Sequence, residues 1–192
     1  MKPQVLALLG SPLPEGNTSK LLKKAIAGAE KAGCEVTLID VPSLEFSSCR
    51  EMYYCKEQGS CIMEDDMKKM YPLLKSMDSL IIATPVMTMG IPGHLKSFFD
   101  RCQVFYCAKY IRSDPLIPKE KRKSRKTLLL SISGMNLPNN FDGIKISTLA
   151  FCDILDCLLA DELLIRDMDN KVDLDQYPDL LKEAFDKGFA LG

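Results

Sequence analysis

Short apolar runs recur along the chain, and each is bounded by glycine, proline or polar residues. Runs of this length and composition are typical of strands that are buried on both faces of a parallel sheet. The pattern predicts five such strands, over residues 5–10, 35–41, 79–85, 126–134 and 162–167.

Amphipathic stretches separate these runs. After residue 17, Leu21, Leu22 and Ala25 begin one apolar helix face, and Gly33 ends the predicted helix. Further helices are predicted within residues 64–77, 90–102, 142–158 and 177–189. In the first of these, Pro72 predicts a kink or a late restart. Strands that alternate with helices indicate an α/β fold, a doubly wound parallel sheet with helices on both faces.

The connection between the third helix and the fourth strand, residues 104–126, is predicted to be irregular. It ends in the basic run KEKRKSRK, which we interpret as a solvated connector. With 192 residues, the chain is predicted to form a single domain over residues 1–192.

Charge and composition restrict the classes of function that we expect for this protein. The chain has 25 Lys and Arg residues against 26 Asp and Glu residues, so no overall field favours nucleic acid or an acidic membrane. No apolar run approaches the roughly 18 residues needed to cross a bilayer, and the N-terminal apolar run is too short for an export signal. We therefore expect a cytoplasmic protein whose eight cysteines are reduced.

The loop that follows the first predicted strand has the character of an anion site. Its sequence, GSPLPEGNTS, opens a helix, whose free N–H groups and positive dipole end suit a phosphate. It contains no Gly-Lys-Ser/Thr, which excludes a P-loop NTPase. It also contains no GxGxxG, so the dinucleotide-binding fingerprint is absent. The alternative is an ordinary strand–helix loop capped by Asn or Thr.

Two more loops follow the third and fourth strands, and the carboxyl ends of parallel strands are where such sheets bind ligands. ATPVMTMGIPG, residues 83–93, combines an irregular backbone with an apolar tip that suits a flat heterocycle. A contact with a second subunit would explain this tip equally. SISGMNLPNNFDG, residues 131–143, is either a cover for a ligand or a plain surface loop.

The chain resembles the flavodoxin-like NAD(P)H-dependent FMN reductases and, within that family, the iron–sulfur flavoproteins. The resemblance rests on four motifs in a fixed order: GSP…GNTS, C…C…GSCIMEDDM, TPV…GIPGHLKSFFDR and SG. The resemblance implies a five-stranded flavodoxin-like sheet, FMN at the strand ends, NAD(P)H as co-substrate, and dimers or tetramers. It also implies the FMN-binding residues. Those at the phosphate are Ser11, Asn17, Thr18 and Ser19; those at the ring are Pro85, Val86, Met87, Thr88, Met89 and Gly90; Ser133 and Gly134 close the site.

Two positions depart from the family pattern. Leu13 stands where a basic residue is frequent, which removes one phosphate or NADPH contact, and Met87 stands where an aromatic residue is common. A thioether still packs on a ring, so we expect these changes to affect flavin affinity rather than abolish binding.

The resemblance implies an oxidoreductase in which NAD(P)H reduces the flavin and the electrons pass to an unknown acceptor. No acid or base is needed, so no catalytic residue is predicted; His94 is interpreted as a surface or capping residue, and Asp100 and Arg101 as helix-face or subunit-contact charges. The alternatives are an electron carrier without nicotinamide chemistry and, more distantly, a binding module that has lost its cofactor.

The segment SSCREMYYCKEQGSC, within a cysteine loop over residues 47–62, places Cys49, Cys55 and Cys61 at intervals of six. The related flavoproteins follow C-x2-C-x2-C with a fourth cysteine. Met52 occupies the second position here, and a thioether is a poor substitute for a thiolate. Because such clusters are held by four cysteines, we predict no metal site; a cluster on three cysteines with an open iron is the alternative.

Overall fold

The computed structural model describes residues 2–122 and 124–192. Its centre is a five-stranded sheet in the order β2-β1-β3-β4-β5, and all four strand pairs are parallel. The strands are β1 (Gln4–Leu9), β2 (Glu35–Asp40), β3 (Ser79–Pro85), β4 (Arg125–Ile132) and β5 (Cys157–Ile165). The predicted doubly wound α/β fold is confirmed.

Eight α-helices and one π-helix connect or follow these strands in the described part of the chain. The helices are α1 (Asn17–Lys31), α2 (Tyr54–Gln58), α3 (Met67–Ser76), α4 (Gly93–Arg101), α5 (Gln103–Tyr106), the π-helix (Cys107–Ile111), α6 (Asp142–Ile154), α7 (Met168–Lys171) and α8 (Pro178–Phe189). Short 3-10 turns occupy Val41–Ser43, Lys119–Lys121 and Leu174–Gln176. Within the described residues, no helix has the length and apolarity that crossing a bilayer requires.

The two faces of the sheet carry separate apolar cores. One is built on Leu6, Leu8 and Leu80 and is covered by α3, α4 and α6; the other is built on Ala7 and Ile81 and is covered by α1 and α8. Because successive strand residues point to opposite faces, the continuous apolar runs supply both cores at once.

Helices α1 and α8 approach each other at two glycines. A Cβ on Gly28 would lie 2.0 Å from the Phe185 carbonyl oxygen, and one on Gly188 would lie 2.0 Å from the Ala25 carbonyl oxygen. No side chain fits at either position, so the helix backbones are in direct contact.

Two predicted boundaries were wrong. Helix α6 ends at Ile154, and β5 begins at Cys157, five residues before the predicted strand. β5 is an edge strand whose first residues are partly exposed, and its register against β4 shifts between Thr127 and Leu128. Its residues therefore lack the continuous apolar run that marks the inner strands. In α3, Pro72 lies inside a single helix rather than at a restart.

The segment 104–126 is less irregular than predicted, since it contains the end of α5, the π-helix and a 3-10 turn. Its basic run also has a buried end. Arg125 has no exposed surface and donates hydrogen bonds to the carbonyl oxygens of Leu74, Met77 and Leu155. These carbonyls lie at the C-terminal ends of α3 and α6, where a cation interacts favourably with the negative end of each helix dipole. The solvated-connector interpretation was wrong for Arg125.

Replacing Arg125 by Lys is expected to lower the free energy of unfolding by about 2 kcal/mol. A single ammonium group cannot reach all three carbonyls that the guanidinium fork satisfies, so buried acceptors lose their donors. Urea denaturation measures the loss. Lys126, which is exposed, provides the control: Lys126→Arg should leave the midpoint unchanged, and an Arg125→Lys variant as stable as the parent would contradict the assignment.

Candidate functional site

Three loops meet at the carboxyl edge of the sheet. They follow β1, β3 and β4, which are neighbours in the strand order. Two backbone hydrogen bonds join them: Gly10 N–H donates to Ala83 O at 2.8 Å, and Val86 N–H donates to Ile132 O at 2.8 Å. The order of the strands reverses between β1 and β3, so these loops lie at the topological switch point where such sheets bind ligands.

The first loop is folded by its own hydroxyl groups. The Leu13 N–H donates to Ser11 Oγ at 3.2 Å, and Ser19 Oγ donates to the Leu13 carbonyl oxygen at 3.1 Å. Gly16 N–H donates to the same carbonyl. The Leu13 side chain is 65% exposed. Ser11 and Ser19 therefore shape the loop that leads into α1.

The first turn of α1 has free donors. Gly16 is the N-cap and has no side chain to accept a hydrogen bond from the turn. Within the described residues, no protein oxygen accepts the N–H groups of Asn17, Thr18 or Ser19. No acidic residue stands in this turn either. Orphan N–H groups at the positive end of a long helix form an anion site.

Asn17 differs from the other predicted phosphate residues because its side chain is already engaged. Its Nδ2 donates to Val172 O at 2.8 Å, and its Oδ1 accepts from Leu174 N–H at 3.1 Å. The amide thus attaches the segment after α7 to the start of α1. What Asn17 still offers to a ligand is its backbone N–H.

The second loop contains a tight turn at residues 87–90. Met87 and Gly90 exchange two backbone hydrogen bonds of 3.0 Å, and the central residues Thr88 and Met89 have φ angles of 49° and 60°. In the described part of the chain, no protein oxygen accepts the N–H groups of Thr88 and Met89. Its position depends on Gly143, where a Cβ would lie 2.4 Å from Met89 O. Pro85 and Val86 connect the turn to β3.

The third loop is fixed by a buried asparagine that sequence reasoning missed. Asn140 has no exposed surface, and its Nδ2 donates to Ser133 Oγ at 2.8 Å and to Met135 O at 2.6 Å. Gly134 packs against α7, because a Cβ there would lie 2.3 Å from Asp169 Oδ1. The pair Asn139–Asn140 in the loop was the available signal. Ser133 is therefore held in place, and Gly134 serves a close packing contact.

The cysteine loop surrounds a cavity of about 640 Å³ on the side of α4. Cys49, Cys55 and Cys61 line it, together with Cys107 from the π-helix. Cys55 Sγ lies 3.7 Å from Cys107 Sγ. Burial and the adjacent Cys107 thiol raise the pKa of Cys55 to about 11. In the residues that the structure describes, no three potential ligands converge as a preformed site for one metal ion.

Arg101 connects the two ends of the cysteine loop. Its guanidinium donates to Ser47 O at 2.8 Å, to Asp65 Oδ1 at 3.0 Å and to Cys61 Sγ at 3.5 Å. Only 2% of Arg101 is exposed. Burial alone would raise the pKa of Asp65, but the hydrogen bonds and charge of Arg101 outweigh it and lower that pKa. The interpretation of Arg101 as a surface or subunit-contact charge was wrong.

His94 is partly buried rather than free at the surface. Its ring centroid lies 4.6 Å from that of Phe46, so the imidazole packs against an aromatic side chain.

The model of a known family, the NADPH-dependent FMN reductases, matches residues 3–136, which include the first two loops, the start of the third loop and the cysteine segment. The chain belongs to this family. An iron–sulfur flavoprotein of Methanocaldococcus jannaschii is 34% identical over 98 residues, 51% of this chain and 51% of that protein. One from Archaeoglobus fulgidus is 33% identical over 98 residues, 51% of this chain and 44% of that protein. The chain thus matches about half the length of these curated relatives.

Solved structures support the fold. The NAD(P)H:quinone oxidoreductase from Methanothermobacter marburgensis superposes with a TM-score of 0.69 at 20% identity, over 100% of both chains. An azoreductase from Bacillus anthracis superposes with a TM-score of 0.67 at 15% identity, over 100% of this chain and 98% of that one. At these identities the likeness establishes the flavodoxin-like fold.

The donors at the sheet edge fit a flavin mononucleotide. Free N–H groups and hydroxyls stand at the start of α1, as a phosphate requires. An apolar turn with two unused N–H groups follows β3, as a flat ring with polar edges requires. The residues present therefore suit the cofactor of this family in their hydrogen-bond donors and in charge.

Proposed function

We propose that the protein is an FMN-dependent oxidoreductase that takes electrons from NAD(P)H and passes them to an acceptor. The observation that carries the proposal is the set of unused N–H groups in the first turn of α1, next to the apolar turn after β3. Membership of the NADPH-dependent FMN reductase family supports it.

In this proposal, the backbone N–H groups of residues 17–19 hold the FMN phosphate, and Ser11, Thr18 and Ser19 support that loop with their hydroxyls. The positive end of the α1 dipole balances part of the phosphate charge, so no basic side chain is needed. The remaining proposed contacts are with the ring. They come from Pro85, Val86, Met87, Thr88, Met89 and Gly90, and from Ser133 and Gly134 at the end of β4.

When bound, the flavin supplies hydride acceptance and electron transfer, while the protein supplies placement and electrostatics. Met87, which is 43% exposed, would pack its thioether beside the ring. The unused N–H groups of Thr88 and Met89 would orient its polar edge. No acid or base is assigned, since a hydride carries no proton to be moved by a side chain. We further propose a homodimer or homotetramer, as the resemblance implies, and a cytoplasmic location, as the sequence predicts.

An anaerobic stopped-flow experiment tests the nicotinamide half-reaction. The full chain, loaded with FMN, is mixed with NADPH or with NADH, and the flavin absorbance is followed. We expect at least one of the two to bleach the flavin. Dithionite provides the control, because it shows that the bound flavin can be reduced. Bleaching by dithionite with neither nicotinamide active would contradict the reductase and leave an electron carrier.

A further inference from the structure

Four cysteines, not three, line the cavity at the cysteine loop. Cys49, Cys55 and Cys61 come from the loop itself, and Cys107 comes from the opposite wall. The cavity of about 640 Å³ is also lined by Met52, which is half exposed at its rim. A search confined to the loop finds only three thiols, because the fourth lies 46 residues further along the chain.

A local change of helix type presents Cys107 to the cavity. Helix α5 gives way to a π-helix that begins at Cys107, and Arg112 N–H donates to Cys107 O at 2.9 Å. Single π-turns are frequent at functional sites, and they rotate the following side chains relative to a regular helix. The result is the contact of 3.7 Å between the sulfurs of Cys107 and Cys55.

Two guanidinium groups flank these thiols. Arg101 Nη2 lies 3.5 Å from Cys61 Sγ, and Arg112 donates to the carbonyl oxygen of Cys55. Arg112 Nη2 is buried and has no hydrogen-bond partner among the described residues, and it lies beside Gly59 of the same loop. A buried donor without an acceptor is costly. The positive charges of both guanidinium groups favour an anionic group bound by these thiols.

We propose that Cys49, Cys55, Cys61 and Cys107 are the ligands of a [4Fe–4S] cluster, with Cys107 taking the place that Met52 leaves empty. A tetrahedral zinc ion requires all four sulfurs about 2.3 Å from a single point. No three ligands converge in that way among the described residues. A cluster binds each sulfur to a different iron, so its ligands surround a cavity, as these four cysteines do. The sulfurs of Cys55 and Cys107, which are 3.7 Å apart, have to separate to admit the core.

Charge and protons balance in the binding step. Four neutral thiols and a [4Fe–4S]²⁺ core give a complex of net charge −2 and release four protons. The thiolates bind the core without exchanging electrons with it. The core itself is assembled from four ferric ions and four sulfides, and one dithiothreitol supplies the two electrons that reduce two of the irons and becomes its cyclic disulfide. The net negative product is the species that Arg101 and Arg112 flank.

The test is anaerobic reconstitution of the full chain with ferric iron, sulfide and dithiothreitol, followed by desalting. Iron, acid-labile sulfide and FMN are then measured per chain, and a dithionite-reduced sample is examined by EPR. We expect about four irons and four sulfides in the parent, and a loss of more than half of both in Cys107→Ser. Cys34→Ala, which alters a buried cysteine of the other core, is the matched control and should retain the parent content.

A double variant distinguishes the loss of a cluster ligand from misfolding of Cys107→Ser. If Cys107 replaces the missing ligand, Met52→Cys in the Cys107→Ser background should restore iron, sulfide and the EPR signal. Parent protein with no iron, or with stoichiometric zinc, would overturn the proposal, as would a Cys55–Cys107 disulfide that forms in place of the cluster. So would a Cys107→Ser variant with unchanged iron. FMN is counted in the same samples, so a failure of flavin binding is seen separately.

Discussion

The Gly16→Asp variant is expected to bind FMN about 100-fold more weakly than the parent while remaining at least as stable. Asp is among the best N-cap residues, and its carboxylate accepts the same first-turn N–H groups that a phosphate would use. Two charge-assisted hydrogen bonds at roughly 1.5 kcal/mol each amount to about 3 kcal/mol, or about two factors of ten. Gly16 has φ −76° and ψ 175°, so any residue can adopt its backbone conformation.

Two matched variants separate the causes. A Cβ at this position would lie 3.1 Å from Leu13 Cβ, and Gly16→Ala introduces that contact without an acceptor. It should therefore bind FMN nearly as well as the parent. Gly16→Asn caps the helix without a charge and should fall between the two. Titration of the apo chain with FMN gives the affinities, and urea denaturation gives the stabilities. Equal FMN affinity in Gly16→Asp and Gly16→Ala would place the phosphate elsewhere.

The three inner strands could be predicted from the sequence because both of their faces are buried. β1, β3 and β4 read as continuous apolar runs, and the burial of residues 5–9, 80–83 and 127–131 explains why. The start of β5 could not be predicted in this way. An edge strand with partly exposed residues has no unbroken apolar run, and Leu158 is exposed despite its type.

The position of the candidate site also followed from the sequence, since the carboxyl ends of parallel strands share one edge. The contacts within the site could not be predicted from the sequence. Asn17 is attached to Val172, and the turn at Met89 packs on Gly143. Such contacts join residues that are far apart in the chain, and no local pattern encodes them. The position of Cys107 beside the cysteine loop could not be predicted for the same reason, because only the fold brings it to Cys55.

Buried arginines were the largest error of interpretation. Arg101 and Arg125 each stand in a charged stretch that is typical of a surface, yet both are buried. Arg101 is buried because Asp65, 36 residues away, supplies a counter-charge, and Arg125 is buried because three helix-end carbonyls accept its hydrogen bonds. A charge is buried where its partners are already fixed in place, and the partners are a property of the fold.

Asp65→Asn is accordingly expected to lower the free energy of unfolding by about 3–5 kcal/mol at neutral pH. The variant leaves Arg101 with an uncompensated buried charge, and an Asn amide would present N–H donors where the guanidinium needs acceptors. Both side chains of the pair are little exposed, at 1% for Arg101 and 14% for Asp65. Asp186→Asn removes an exposed pair with Lys182 and is the control, with an expected loss below about 0.5 kcal/mol.

The pH dependence of this loss provides an independent check. The pKa of Asp65 is lowered in the folded state, so its contribution is present above the unfolded value of about 3.9. It is lost as the pH falls through the lower folded value. The stability difference between parent and Asp65→Asn should therefore be large at pH 7 and shrink below about pH 4. A difference that does not depend on pH would point to a packing defect instead.

The same variant should loosen the cysteine loop. Arg101 contacts Ser47 at one end of the loop and Cys61 near the other, and Asp65 fixes its guanidinium in place. Without the carboxylate, the two ends lose their common attachment, and hydrogen exchange should rise over residues 47–62 but not over the turn at residues 87–90. If the loop keeps its protection from hydrogen exchange while the free energy of unfolding falls, Arg101 stabilises the core and does not fix the cysteine loop in place.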